Sequence, residues 1–115
     1  MNIQEIEDYF ICKHGAVQKT PFKMPVPVFM VGEKIFALIN IHEEKRSINL
    51  KYPSDSIEQL RSSFEEIQPG YHMNKGHWNT VYFEGLEDVL VKELIDISYD
   101  LVVASLSKAK KNELI

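Results

Sequence analysis

The fifteen residues PGYHMNKGHWNTVYF, Pro69 to Phe83, hold the side chains best suited to chemistry. Two of the four histidines, the only tryptophan and two of the five tyrosines fall there, with Asn74, Asn79 and Lys75 between them. His72, Asn74, Lys75, His77 and Asn79 would offer hydrogen-bond donors to phosphate oxygens, with Tyr71 or Trp78 free to stack on a base. The competing reading is architectural: Trp78 as a sheet residue, and Asn74 and Gly76 as suppliers of positive-φ turn conformations.

Metal binding fits poorly. His72 and His77 stand five apart, a spacing that neither helix nor strand turns onto one face, and zinc needs three or four ligands. No metal and no cofactor are expected. Cys12-Lys13-His14 places a thiol beside cations, which lowers a thiol pKa. These residues end a helix, however, where the dipole disfavours an anion, so Cys12 reads as an inert, buried or half-buried cysteine. The acid pairs Glu43-Glu44, Glu65-Glu66 and Glu87-Asp88 fall at turns and helix ends and read as solvated surface. With no phosphate-binding glycine motif and no nucleophile–base arrangement, no catalytic constellation is visible and no enzyme is expected.

A chain of 115 residues is one domain with room for one ordinary core. Its 17 acids and 13 bases give a net charge of −4. Phosphate recognition would therefore have to come from a local basic patch rather than a global field. A single cysteine excludes an internal disulfide. No apolar run reaches the length of a membrane span, and the first residues lack a secretory pattern. A cytoplasmic monomer is the expectation.

Hydrophobic periodicity supplies the elements. Ile3, Ile6 and Phe10 mark a helix over Ile3 to Lys13, with Asn2 and Glu5 as a capping box and Gly15 as its left-handed stop. Residues 25–31 read as a strand whose two prolines force it to begin at an edge or bulge. Gly32-Glu33 is a turn. Lys34 to His42 is the longest strand, with Ile35, Ala37, Ile39 and Ile41 on one face and Phe36, Leu38, Asn40 and His42 on the other. Ser47 to Lys51 alternates, with Ile48 and Leu50 inward. A second helix follows Pro53, capped by Ser54 or Asp55, with Ile57, Leu60 and Phe64 buried. His77 to Phe83 is the last strand. The final helix runs from about Leu86 to Ser105 with a stripe of Leu90, Leu94, Ile97 and Leu101. The lysine-rich tail after it should fray. The order α-β-β-β-α-β-α predicts a two-layer α+β domain, an antiparallel sheet with helices packed on it.

The ordered set "PVFMVGEKIFALI", "INLKYP", "PGYHMNKGHWNTV" and "LIDISYDLVVASLSK" resembles the MmcQ/YjbR family of small bacterial proteins over nearly the whole chain. The resemblance implies a CyaY-like fold and a DNA-binding role through a double-wing pair of hairpins, without enzymatic activity. Where many relatives carry a basic residue this chain has Gly76, and its hairpin tips carry Glu33 and Glu43-Glu44. The function expected is a non-catalytic module binding double-stranded DNA through His72, Asn74, Lys75, His77, Trp78 and Asn79. The alternative is a domain that binds a protein or small molecule with the Tyr71–Asn79 loop and no nucleic acid. Histidine acid–base catalysis is a third class.

Overall fold

A computed structural model describes residues 1–20, 26–40, 44–70 and 73–114. Helix α1 (Ile3–Cys12) opens on the expected capping box: Asn2 Oδ1 accepts from the Glu5 N–H at 2.8 Å, and the Glu5 carboxylate accepts from the Asn2 N–H at 2.9 Å. Then come β1 (Val17–Lys19), β2 (Val28–Val31), β3 (Lys34–Asn40), β4 (Ser47–Lys51), α2 (Ile57–Ser63), β5 (Ile67–Pro69) and β6 (Trp78–Val81). A 3-10 turn (Phe83–Gly85) leads into α3 (Asp88–Ser105) and α4 (Lys108–Glu113). The strands form one antiparallel sheet in the order β1-β2-β3-β4-β6-β5. The α+β, two-layer reading therefore holds.

Cross-strand partners share a face, so the register defines the layers. The row Ile39–Ile48–Val81–Ile67 enters one buried cluster with Ile6 and Phe10 of α1 and Val91, Leu94, Ile95 and Val102 of α3. The row Val28–Leu38–Asn49–Thr80–Gln68 faces the opposite way. There the Asn40 amide donates to Ser47 Oγ at 2.9 Å and to Asn49 Oδ1 at 3.1 Å, and the Thr80 hydroxyl donates to Asn49 Oδ1 at 2.8 Å.

Three elements go beyond the predicted order. Strands β1 and β5 are three-residue sheet edges, too short to show a period, and every residue of β1 is exposed. The β5 edge is also blunted: Ile67 gives its N–H to the Phe64 carbonyl at 3.1 Å and Pro69 has none to give. The tail does not fray but forms α4, capped by Ser107. Its anchor is Leu114, half-buried against the core at Gly15, where a Cβ would lie 2.5 Å from Leu114 Cδ2. The His14 ring hydrogen-bonds the Leu114 carbonyl.

Strand β3 departs from simple alternation. Phe29 pairs with Ala37 but Met30 pairs with Ile35, which leaves Phe36 as an extra residue, a β-bulge. The bulge turns Phe36 into the same core as Ala37 and Ile39, against Phe10 and Tyr99, instead of onto the far face. Ser98 of α3 completes it. Its hydroxyl donates to the Phe36 carbonyl at 2.6 Å and accepts from the Lys51 N–H at 2.8 Å. The buried stripe of α3 is correspondingly Val91, Leu94, Ile95, Ser98 and Val102. The expected Leu90, Ile97 and Leu101 lie one residue off this stripe and are only half-buried.

Helices α1 and α3 are also joined by a polar seam. The Tyr9 hydroxyl donates to Asp96 Oδ1 at 2.8 Å, and Lys13 Nζ meets the same oxygen at 2.6 Å. The ammonium also lies over the Tyr9 and Tyr99 rings, 5.5 and 5.2 Å from their centroids. Burial, reinforced by the bond to Asp96, pushes the Tyr9 phenol up from 10.0 to about 12. The neutral phenol is the form the fold favours. Its contribution is intact below pH 10 and is lost as the pH rises from there toward 12. An ultraviolet tyrosinate titration should thus contain a late component that Tyr9→Phe removes. A Tyr9 that ionised together with exposed tyrosines would contradict this seam.

Candidate functional site

The loop joining β5 to β6 is built from turn chemistry at one end and a clamp at the other. Asn74 Oδ1 accepts from the Gly76 N–H at 3.0 Å, and the Asn74 carbonyl accepts from the N–H groups of His77 and Trp78 at 3.1 and 2.9 Å. Among the described residues positive φ is confined to Gly15, Gly32 and Glu33. Asn74 and Gly76 therefore shape the turn through this hydrogen bond and not through left-handed backbone. At the base, the Gly70 N–H donates to the Trp78 carbonyl at 2.8 Å. A Cβ at Gly70 would stand 2.9 Å from both the Trp78 carbonyl oxygen and the Trp78 Cβ, so only glycine permits this approach. The His77 carbonyl accepts from the Tyr52 N–H at 2.9 Å, tying the loop to the end of β4.

The clamp is Arg61 of α2. Its Nε donates to Asn79 Oδ1 at 2.7 Å, Nη2 donates to the carbonyls of Trp78 (3.1 Å) and Lys75, and Nη1 pairs with Glu58 Oε1 at 2.8 Å. The Arg61 side chain is only 10% exposed. A planar guanidinium suits this role because its fork of donors reaches several oxygens at fixed angles. Sequence reading passed over Arg61. The signal available was a lone arginine on a short helix just before a carbonyl-rich turn.

The expected site residues divide accordingly. Asn74, Lys75 and His77 are exposed. Neither the Lys75 ammonium nor the His77 ring has a partner among the described residues. Trp78 is half-buried and pairs with Lys51 in register, on the face away from the helices. Asn79 is 2% exposed and its amide oxygen belongs to Arg61, so it is an internal anchor and not a contact residue. His72 and Tyr71 lie outside the described residues. No group of three or more His, Cys, Asp or Glu suited to a metal occurs among the described residues.

Other sequence candidates resolve differently. Cys12 is exposed, not buried, and gives its thiol proton to the Tyr9 carbonyl at 3.0 Å. The Gly32-Glu33 tip, one of the two wings that the resemblance implies, is docked on its own protein. Its φ angles of 56° and 69° form a tight hairpin turn. Leu106 covers Gly32, Glu33 pairs with Lys110 at 3.3 Å, and Lys34 Nζ reaches the Ser105 carbonyl at 3.2 Å. Of the second tip, Glu44, Lys45 and Arg46 are described and exposed, and Lys45 lies over the Tyr82 ring at 5.0 Å.

These features define a small single-sheet α+β domain that presents one anchored polar loop. The chain belongs to the YjbR family, whose model matches residues 12–101. It is similar to YjbR of Escherichia coli strain K12, with 32% identity over 116 residues, 100% of this chain and 98% of that one. The crystal structure of a Deinococcus radiodurans protein with a DUF419 domain superposes with a TM-score of 0.88 at 30% identity, covering 98% of this chain and 87% of that one. A Pseudomonas syringae crystal structure gives a TM-score of 0.75 at 32% identity, covering 89% of this chain and 99% of the other.

Proposed function

We propose that this protein is a non-catalytic module that contacts the phosphate backbone of double-stranded DNA through the loop at residues 73–77. The observation that carries the reading is the pairing of two exposed groups that have no partner among the described residues, the Lys75 ammonium and the His77 ring, with a backbone held by Arg61. A pre-ordered loop loses little entropy on contact. Lys51, in register with Trp78, adds a cation at the same end of the sheet. The docked Gly32-Glu33 tip supports a single contacting hairpin in place of two wings.

Fluorescence anisotropy with labelled duplex DNA tests this. Affinity should fall steeply between low and physiological salt, and Lys75→Ala should reduce the magnitude of the log–log salt slope by about one. Because Lys75 Nζ has no internal partner among the described residues, the variant should unfold like the parent protein. Absence of binding at low salt would sink the DNA reading. The net charge of −4 favours the second reading, in which the same loop holds a protein or small molecule. A salt-insensitive ligand whose binding perturbs the His77 ring resonances would support that one.

A further inference from the structure

We infer that the cleft between the end of α2 and the start of α3 is a docking site for a cationic amphipathic segment of another protein. This surface is separate from the loop and does not depend on the DNA reading. The cleft has a volume of about 520 Å³ and is lined by Phe64, Glu66, Gly85, Leu86, Glu87 and Leu90. Phe64, Leu86 and Leu90 are half-buried: each packs on the core and leaves its other side open to the cleft. Val89, the residue before Leu90 on the first turn of α3, is 76% exposed, where a solvated helix would ordinarily carry a polar residue.

Charge decides the occupant. Glu66 and Glu87 form the rim, and no lysine or arginine is among the residues that line the cleft, whereas the neighbouring Asp88 is already paired with the Met1 ammonium at 2.8 Å. An acidic rim repels phosphate, so nucleic acid does not fit. It attracts lysine or arginine flanking an aliphatic anchor, and the apolar floor then takes the anchor. The cationic segment of a second copy, α4, is a poorer candidate. Its Leu114 already packs on the core and Lys110 is already paired with Glu33 and Glu113.

The test uses the full chain and a fluorescein-labelled helical peptide with leucines on one face and lysines on the other, read by anisotropy at physiological salt. Saturable one-to-one binding is expected. A peptide of equal charge with serines replacing the leucines should bind about tenfold more weakly, and so should the leucine peptide to the Glu87→Lys/Val89→Lys protein. Both substituted side chains are exposed, so circular dichroism should show the fold retained. Lys75→Ala should leave peptide binding unchanged, which keeps this result separate from that of the loop. Equal binding of the serine peptide, no effect of the double substitution, or no saturation would overturn the proposal. So would self-association, seen by sedimentation, that the double substitution abolishes, because the occupant would then be a second copy.

Discussion

Replacing Arg61 with leucine should lower the unfolding free energy by about 2–4 kcal/mol. The substitution keeps helix propensity and side-chain bulk, so the loss is one of hydrogen bonding. Asn79 Oδ1, in a residue that is 2% exposed, is left in the interior without its donor. An orphaned buried acceptor costs about 1–3 kcal/mol, and bonds from a charged donor contribute about 1.5–3 kcal/mol each. The carbonyls of Lys75 and Trp78 regain water in part, which holds the total below the full sum. Arg61→Lys should recover less than half, because an ammonium cannot span the four acceptors that the guanidinium reaches. Urea unfolding should show a lower midpoint with an unchanged slope, and trypsin should nick the chain at Lys75 faster as the loop opens. A midpoint unchanged from the parent protein, with the loop equally protected, would mean that the clamp does not hold it.

Ser98→Ala is the second large effect, at about 2–4 kcal/mol, although it deletes one oxygen. Ser98 is fully buried, and its hydroxyl serves two backbone groups beside the bulge, the Phe36 carbonyl and the Lys51 N–H. Alanine leaves both without this partner, the Phe36 carbonyl in the interior and the Lys51 N–H in a part-buried position, at about 1–3 kcal/mol each. For a domain of this size that corresponds to a fall in Tm of roughly 10 °C. Amide exchange at Lys51 should quicken more than at the neighbouring β4 amides. A variant as stable as the parent, with Lys51 still protected, would show that the bulge closes without the hydroxyl.

Both effects pass through residues that pattern reading undervalues. In α3 the eye takes Leu90, Leu94, Ile97 and Leu101 as the inward stripe because leucine and isoleucine are the more apolar set. The helix turns Val91, Leu94, Ile95, Ser98 and Val102 inward. A serine is the residue that can fill the position above a bulged strand, and the bulge itself is invisible in a run as apolar as Lys34 to Asn40. In the loop, Asn79 and Lys75 look equally available as polar residues on either side of Gly76. Strand alternation sends Asn79 toward the helices and Arg61, while Lys75 stays on the turn. The lysine-rich tail looks solvated by composition, yet Leu114 and the bare Gly15 give it a seat.

By itself the sequence determined the features that local chemistry dictates: the Asn2–Glu5 capping box, the tight Gly32-Glu33 turn, the β4 alternation that sends Ile48 and Leu50 inward, and the family to which the ordered motifs belong. Those features depend on neighbours a few residues away, and a linear pattern records such neighbours. Only the tertiary structure decided which polar residues of the 69–83 stretch face solvent, that Arg61 holds the loop, that Ser98 seats the bulge, and that one hairpin tip is covered by the end of α3 and by α4. Each of these joins groups from distant parts of the chain, where the partner is selected by packing and by the need to satisfy buried hydrogen bonds. Residue type alone does not carry that information.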